Sequence, residues 1–335
     1  MKLFGLWFAF FLIIVTLPAW AEPLDMEAVN TAAFEAKAAK GPALILKAQI
    51  LLDRKRYSPG VIDGISGDAT EIALKAFQAD NGIEATGKLD AASFAKLSEG
   101  NSGVVLIRYA ISAEDVKGPF VDKVPTDIAE MAKLDRMAFT GPQEALAERF
   151  HMDEDLLKRL NPEADFTKAG TEIVVTSVEH VEEGRAAEGD APTDRIRADR
   201  IVVDKSERTL RVFGKTGDLI ALYPATIGSE ENPAPDGETR IVRIAKGPTW
   251  NYDPKLKLEG EKNRPDEAMT VQPGPNNPVG TVWIALDRDH YGIHGTAEPE
   301  KVGKSLSSGC VRLTNWDVEE LAELVKKGVP VVFEE

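Results

Sequence analysis

The residues able to do chemistry crowd into one stretch, Tyr291-Gly292-Ile293-His294-Gly295-Thr296 followed by Ser307-Ser308-Gly309-Cys310-Val311-Arg312. Cys310 is the single cysteine of the chain, so no internal disulfide can claim it: it is either a small buried residue or a free reactive thiol. A His upstream and a Gly just before the Cys make up the inventory of thiol nucleophilic catalysis. A thiol with a pKa of ~8.5 is only a few per cent ionised at neutral pH, so an imidazole that takes its proton raises the nucleophile directly. His294 is the candidate base, with a structural histidine as the bland alternative. Gly309 permits a tight turn before the nucleophile, and backbone N–H groups near Gly309 and Cys310 can meet a developing oxyanion. A carbonyl substrate is implied. Asp287, Asp289, His290 and His294 raise the question of a metal. Read as one strand, this segment puts His290 and His294 about 13 Å apart at ~3.3 Å per residue, too far to share an ion. No metal and no other cofactor is expected.

His-Gly-Thr followed by Ser-x-Gly-Cys-Val-Arg makes residues 201–335 resemble the L,D-transpeptidase catalytic domain, also called YkuD-type. The likeness extends to Gly274-Pro275-Asn276-Asn277-Pro278-Val279-Gly280, to Pro299 and Gly303, and to Asn315 with the closing helix. The resemblance implies Cys310 as nucleophile and His294 as general base, with the Gly295 carbonyl or the Ser307 hydroxyl orienting the imidazole. It sets Gly309, Ser308, Tyr291 and Arg312 near the oxyanion or substrate. Many family members carry His where Ser308 stands, so a second imidazole is missing from this motif. The implied reaction is attack on a peptidoglycan tetrapeptide stem, giving a thioester. An amine of a second stem peptide or of an envelope protein then resolves it. Resolution by water would make the same site a carboxypeptidase or endopeptidase, and a non-catalytic wall-binding protein is the alternative from another class. Capture of carbapenems on Cys310 is implied as well.

These residues need a scaffold, and residues 201–335 read as strand-rich. Ile201 to Val203, Thr209 to Phe213, Leu219 to Tyr223, Thr281 to Leu286 and Val331 to Phe333 carry strand composition. One helix near the end has Val318, Leu321, Leu324 and Val325 as its stripe, Asn315 as its cap and Gly328 beyond it. The expectation is a mostly antiparallel β-sandwich with one covering helix. Residues 245–270 read as a long insertion, in which Trp250 and Tyr252 either contact substrate or fix the loop to the core.

Upstream, residues 41–98 show helical spacing in Leu44, Ile45, Ala48, Leu51 and Leu52, then in Ile72, Ala73, Ala76 and Phe77, then in Phe94 and Leu97. Ser66 or Asp68 is the expected cap of the second helix and Asp90 of the third. With Gln49, Asp63-Gly64, Gly67 and Phe77-Gln78, the stretch resembles the three-helix peptidoglycan-binding domain type 1. Residues 101–178 contain two short amphipathic helices ending at Asn161-Pro162 and a strand from Thr171 to Val175. They resemble the later part of a LysM glycan-binding module whose front strand is replaced by Phe139-Thr140-Gly141-Pro142. Either glycan binding or a spacer role follows. Residues 179–200 read as a charged linker. The whole is a multidomain α+β chain.

Met1-Lys2, an apolar run from Leu3 to Leu17 and Ala19-Trp20-Ala21 have the form of a secretory signal peptide over residues 1–21. No later segment is apolar enough to span a membrane, and wall chemistry with an export signal places the protein in the periplasm, associated with the cell wall. A net charge of −15 argues against nucleic acid and anionic lipid. Peptidoglycan stem peptides and glycan are the expected partners.

Overall fold

The computed structural model describes residues 24–35, 41–100, 103–178, 197–255 and 265–335. The expected signal peptide, and the linker except for residues 197–200, lie outside them. Among the described residues no helix is long and apolar enough to cross a membrane.

The front module is helical, with α1 (Met26–Thr31), α2 (Pro42–Arg54), α3 (Asp68–Asp80) and α4 (Ala91–Ser98). Leu44, Ile45, Ala48, Leu51 and Leu52 of α2 are all buried, as a 3.6-residue period requires of a core-facing stripe. The two glutamines are buried with them. Gln49 bonds Asp63, Thr70 and the backbone of residues 63–65, and Gln78 bonds Lys88 O and Gly87 N. Each side-chain amide thereby satisfies turn groups that have no ladder partner. Asp90 caps α4 through a reciprocal bond with Ser93. At α3 the expectation fails: the N-cap is Gly67, extended and without a side-chain cap, and Asp68 is already inside the helix, where its charge still suits the helix dipole.

The middle module runs β1 (Leu106–Ala110), α5 (Ile128–Met131), α6 (Pro142–Arg149), α7 (Glu154–Leu160) and β2 (Glu172–Thr176). β1 and β2 pair antiparallel from Leu106 opposite Thr176 to Ala110 opposite Glu172. A strand thus precedes the helices of this module, about thirty residues before the Phe139-Thr140-Gly141-Pro142 stretch. Residues 111–141 form an excursion between that strand and α6. Asn161 stops α7 and ties it to β2, donating to Leu157 O and Val174 O and accepting from Val174 N. Front and middle modules share one apolar core, in which Leu46 and Phe77 pack in the same cluster as Leu106, Leu156 and Val175.

The last third comprises β3 (Arg200–Asp204), β4 (Thr209–Phe213), β5 (Leu219–Pro224), β6 (Thr226–Ile227), β7 (Gly237–Lys246), β8 (Trp250–Tyr252), β9 (Met269–Val271), β10 (Val282–Leu286), β11 (Gly292–His294), β12 (Val311–Arg312), α8 (Asn315–Leu324) and β13 (Pro330–Glu334). Nine of these strands join in the order β5-β4-β3-β13-β7-β10-β11-β12-β6. The long β7 pairs with β13 through Gly237 to Arg240 and with β10 through Ile241 to Lys246. One strand thus passes from one half to the other, a usual way to turn a sandwich corner. Ile201, Val203, Leu210 and Val212 of one half share a core with Ile284, Ile293 and Val311 of the other and with Val318 and Leu321 of α8. All pairings are antiparallel except β13 with β3 and β11 with β12.

α8 is capped by Thr314, whose hydroxyl accepts from Asp317 N. Asn315, expected as the cap, is the first helical residue, and its amide is used elsewhere. The front module meets this sheet along β5, where Ser58 N donates to Leu222 O and Leu222 N to Arg56 O, both at 2.8 Å.

Candidate active site

β11 and β12 lie parallel, with Ile293 opposite Val311 and His294 opposite Arg312. Side chains alternate along a strand. Because Ile293 and Val311 are buried in the core, His294, Arg312 and Cys310 project from the other face. Cys310, the residue before β12, has its thiol beside the Gly292 N–H, and extending the β11–β12 register by one step sets it one strand across from His294 and two residues back. Standard strand spacings make that a Cα separation of about 8 Å, a diagonal that side chains can bridge.

The imidazole is fixed by its own backbone. His294 is 4% exposed, and its Nδ1–H donates to Gly295 O at 2.7 Å. A carbonyl only accepts, so the proton sits on Nδ1 and Nε2 keeps its lone pair. Trp283 lies directly across the β10–β11 pair from His294, its ring stacked on the imidazole at 5.3 Å. Burial, reinforced by the Arg312 charge and opposed by the Gly295 carbonyl, brings the imidazole pKa down to about 3.

Cys310 is half-buried. Its Sγ–H points to His290 O at 3.5 Å. Burial raises the thiol pKa, while the Gly292 N–H and the Arg312 charge oppose that rise. The resting pair is consequently an uncharged thiol and an uncharged imidazole. Gly309, just before it, has φ +103°, a conformation that L side chains rarely adopt, and a Cβ there would lie 2.7 Å from Tyr291 Cε1. Tyr291 is in turn linked to Pro233 O at 3.4 Å, so the Cys310 turn is packed from the side by that ring.

Ser307, offered as one of two groups to orient the imidazole, is engaged otherwise. It is buried, donates to Cys310 O at 2.6 Å and accepts from Gly228 N at 2.7 Å. It shapes the turn that carries the sulfur, and the Gly295 carbonyl holds the ring. Ser308 is half-buried between Ser307 and Gly309. Arg312 is close enough to bear electrostatically on both His294 and Cys310. Its buried Nε has no hydrogen-bond partner among the described residues.

Trp250 belongs to a separate ribbon, β8 paired with β9, and its ring packs edge-on against the buried Tyr252 at 5.8 Å. The strand assumed for residues 287–294 is instead a turn followed by β11. Leu286 N bonds Tyr291 O, Tyr291 N bonds Arg288 O, and His290 takes φ +68°. The strand distance between His290 and His294 does not apply, and the turn leaves His290 exposed while His294 is buried. Among the described residues no group of three His, Cys, Asp or Glu side chains is placed to hold an ion.

Residues 198–333 match the family described as L,D-transpeptidase catalytic domain, YkuD, and residues 42–97 match "Putative peptidoglycan binding domain". The chain is 30% identical over 138 residues to "Putative L,D-transpeptidase in ATP synthase subunits region ORF 5" of Fuscovulum blasticum, covering 41% of this chain and 70% of that one. The chain belongs to the L,D-transpeptidase family. It is 36% identical over 132 residues to "Putative L,D-transpeptidase YkuD" of Bacillus licheniformis, covering 39% of this chain and 63% of that L,D-transpeptidase relative. A third relative, "Probable L,D-transpeptidase YbiS" of Escherichia coli, is 34% identical over 136 residues, covering 40% of this chain and 44% of its own. Among solved structures, L,D-transpeptidase 3 of Mycobacterium tuberculosis aligns with TM-score 0.33 and 18% identity over 40% of this chain and 60% of that one.

Proposed function

We propose that the protein is a cysteine-dependent L,D-transpeptidase of the peptidoglycan layer, with Cys310 as nucleophile and His294 as base. The observation that carries this reading is the β11–β12 register, which puts the chain's one thiol, an imidazole with a free Nε2, and a partly unpaired guanidinium on one face.

In the first half-reaction Cys310 Sγ bonds to the carbonyl carbon of the diaminopimelate residue that precedes the terminal D-Ala of a donor tetrapeptide. His294 Nε2 takes the thiol proton as that bond forms. Because the imidazole is uncharged well below neutrality and the thiol remains protonated, the proton moves during attack instead of beforehand. The N–H groups around Gly309 and Cys310, with the Arg312 charge nearby, face the oxyanion that develops. When the tetrahedral adduct collapses, the C–N bond breaks and His294 returns the proton to the departing D-Ala amine, leaving a thioester. In the second half-reaction an amine of a second stem peptide, or of an envelope protein, attacks the thioester and its proton passes to His294. The thiolate leaves and is reprotonated, and a new amide remains. The front module holds the chain on the wall, and the exported protein works in the periplasm.

Incubating the purified protein with tetrapeptide muropeptides and identifying the products by mass spectrometry tests this. Cross-linked dimers with release of D-Ala are expected, and a mass increment on Cys310 with a carbapenem. Tripeptide alone, with no dimer, would make the enzyme a carboxypeptidase. Products unchanged by Cys310→Ala would remove the mechanism altogether.

A further inference from the structure

The middle module meets the catalytic domain at Met137, Ala138, Glu144 and Glu148, and Glu148 is the one of these that bonds Asn315. Glu148, in the last turn of α6, accepts from Asn315 Nδ2 at 2.7 Å. Asn315 is 1% exposed and is relieved of capping by Thr314. Its other Nδ2 hydrogen goes to Pro275 O at 3.1 Å, and its Oδ1 accepts from Thr281 N at 3.0 Å. One amide therefore ties α6, the 275–281 loop and α8 together.

That amide is also pressed against the residue that holds the catalytic ring. A Cβ added to Gly295 would lie 2.1 Å from Asn315 Oδ1, and one added to Gly280 would lie 2.2 Å from it. Gly295 O is the acceptor for His294 Nδ1–H, and Leu313 N, two residues before Asn315, bonds His294 O at 2.9 Å. The Asn315 amide thus lies in close contact with the Gly295 backbone, so a shift of one bears on the other. We propose that Glu148 is a positioning residue for the His294 imidazole, acting through Asn315 and Gly295, so that docking of the middle module completes the active site. This rests on His294 being the base.

Glu148 suits the task because it is the acceptor that the Asn315 amide finds outside the catalytic domain. Without it a buried amide donor is left unpaired, which costs more than the bond itself contributes. The bonds to Thr281 N and Pro275 O still fix which end of the amide is which, but the side chain loses the contact that holds it towards α6. Burial, against the pull of the Asn315 hydrogen bond, lifts the Glu148 carboxyl to about 8; it is largely uncharged at neutral pH and a glutamine can take its place. A companion contact one turn earlier supports the same docking: Glu144 accepts from Asn276 Nδ2 at 2.7 Å.

The test is single-turnover acylation of Cys310 by a carbapenem, followed by mass, in the full-length protein and in Glu148→Ala, Glu148→Met and Glu148→Gln. The saturating rate constant is expected to fall about tenfold in the Ala and Met variants, the scale on which small misplacements act, with the half-saturating concentration unchanged. Glu148→Gln is expected to restore the rate. Nitrogen-15 spectra of the histidines should show the Nδ1–H bond of His294 weakened in the Ala and Met variants and kept in the Gln variant. An unchanged rate in a folded Ala or Met variant overturns the proposal alone. So does loss of the fold in both, which would make Glu148 a purely structural group. No acylation in the unmodified protein overturns the assignment of Cys310, and this proposal with it.

Discussion

At the face that carries Cys310, backbone groups do most of the holding. The Gly295 carbonyl fixes the imidazole, the His290 carbonyl receives the thiol, and Ser307 braces the turn through Cys310 O and Gly228 N. At the seam between the modules, side chains join the backbone bonds of residues 56–58 to Leu222. Arg56 pairs with Glu320 at 2.9 Å, Ser58 donates to Asp317 at 3.0 Å, and His151 bonds Asp53 and stacks on Trp316 at 5.1 Å, while within the last third Tyr223 donates to the same Glu320 at 2.7 Å. The two regions lie at opposite ends of a trade. Backbone contacts keep a neutral thiol and imidazole in place with little sensitivity to charge. A seam of buried ionisable groups holds only while their protonation states agree.

If that contrast is sound, the largest effects belong to the face. Cys310→Ala should abolish carbapenem adducts and muropeptide cross-linking, read by mass spectrometry. His294→Ala should slow acylation by ~10²–10⁴-fold, the usual worth of a positioned base. Gly309→Ala comes next: it forces a side chain to φ +103° and against Tyr291, so acylation should fall by at least ~10-fold while far-UV circular dichroism stays unchanged. An Ala variant as fast as the parent would show that the turn has slack the packing denies it.

The pH response separates the regions in direction. The imidazole is held down to about 3, so acylation should show no acid limb near the ordinary histidine value of ~6.5; a limb there would mean that the ring is solvated. At the seam the sign is opposite. Burial and then Asp53 raise Asp317 to about 8, and burial against the Asn315 bond raises Glu148 to about 8. Burial lowers His151, yet the charges of Asp53, Asp317 and Glu320 carry it above its usual value. The folded acids bind more protons than unfolded ones between about 4 and about 8, and folded His151 does so above about 6.5. All three therefore stabilise docking at low pH and lose that contribution as pH rises. Between about pH 6 and about pH 9 the melting temperature should fall by ~3 °C or more, with hydrogen exchange rising first around residues 53–58 and 313–320. Exchange that stays flat at the seam would refute this account. The smallest effect is expected from Lys75→Ala, which removes an exposed pair with Glu207 and should shift stability by no more than ~0.5 kcal/mol.

The legible parts of the site are those packed close in sequence. Cys310, Gly309 and Arg312 stand within four residues of each other, and the resemblance to the L,D-transpeptidase motif sets His294 beside them. Side chains whose partners are far away were misread or missed. Asn315 looks like a helix cap because Asn before an apolar stripe usually is one, yet its partners lie in residues 148, 275 and 281. Glu148 reads as an ordinary polar position on an amphipathic helix, and nothing local marks it as enclosed. Trp283 reads as one aromatic in a strand, since only the pairing of β10 with β11 puts it over the imidazole. In the fold, the strand-rich third, its closing helix and the front helices followed from periodicity. β1 did not, because an excursion of some thirty residues separates it from the helices it embraces.

The run from Arg56 to Ser58 lies along β5, the outermost strand on one side of the nine-stranded sheet. Unmet strand margins invite other chains to join them. A catalytic third produced by itself would bare the Leu222 amide and carbonyl and gain a tacky border, prone to self-association. The front module thus serves as a selvedge for the sheet, a service that trimming the protein for crystallisation or inhibitor screening would undo.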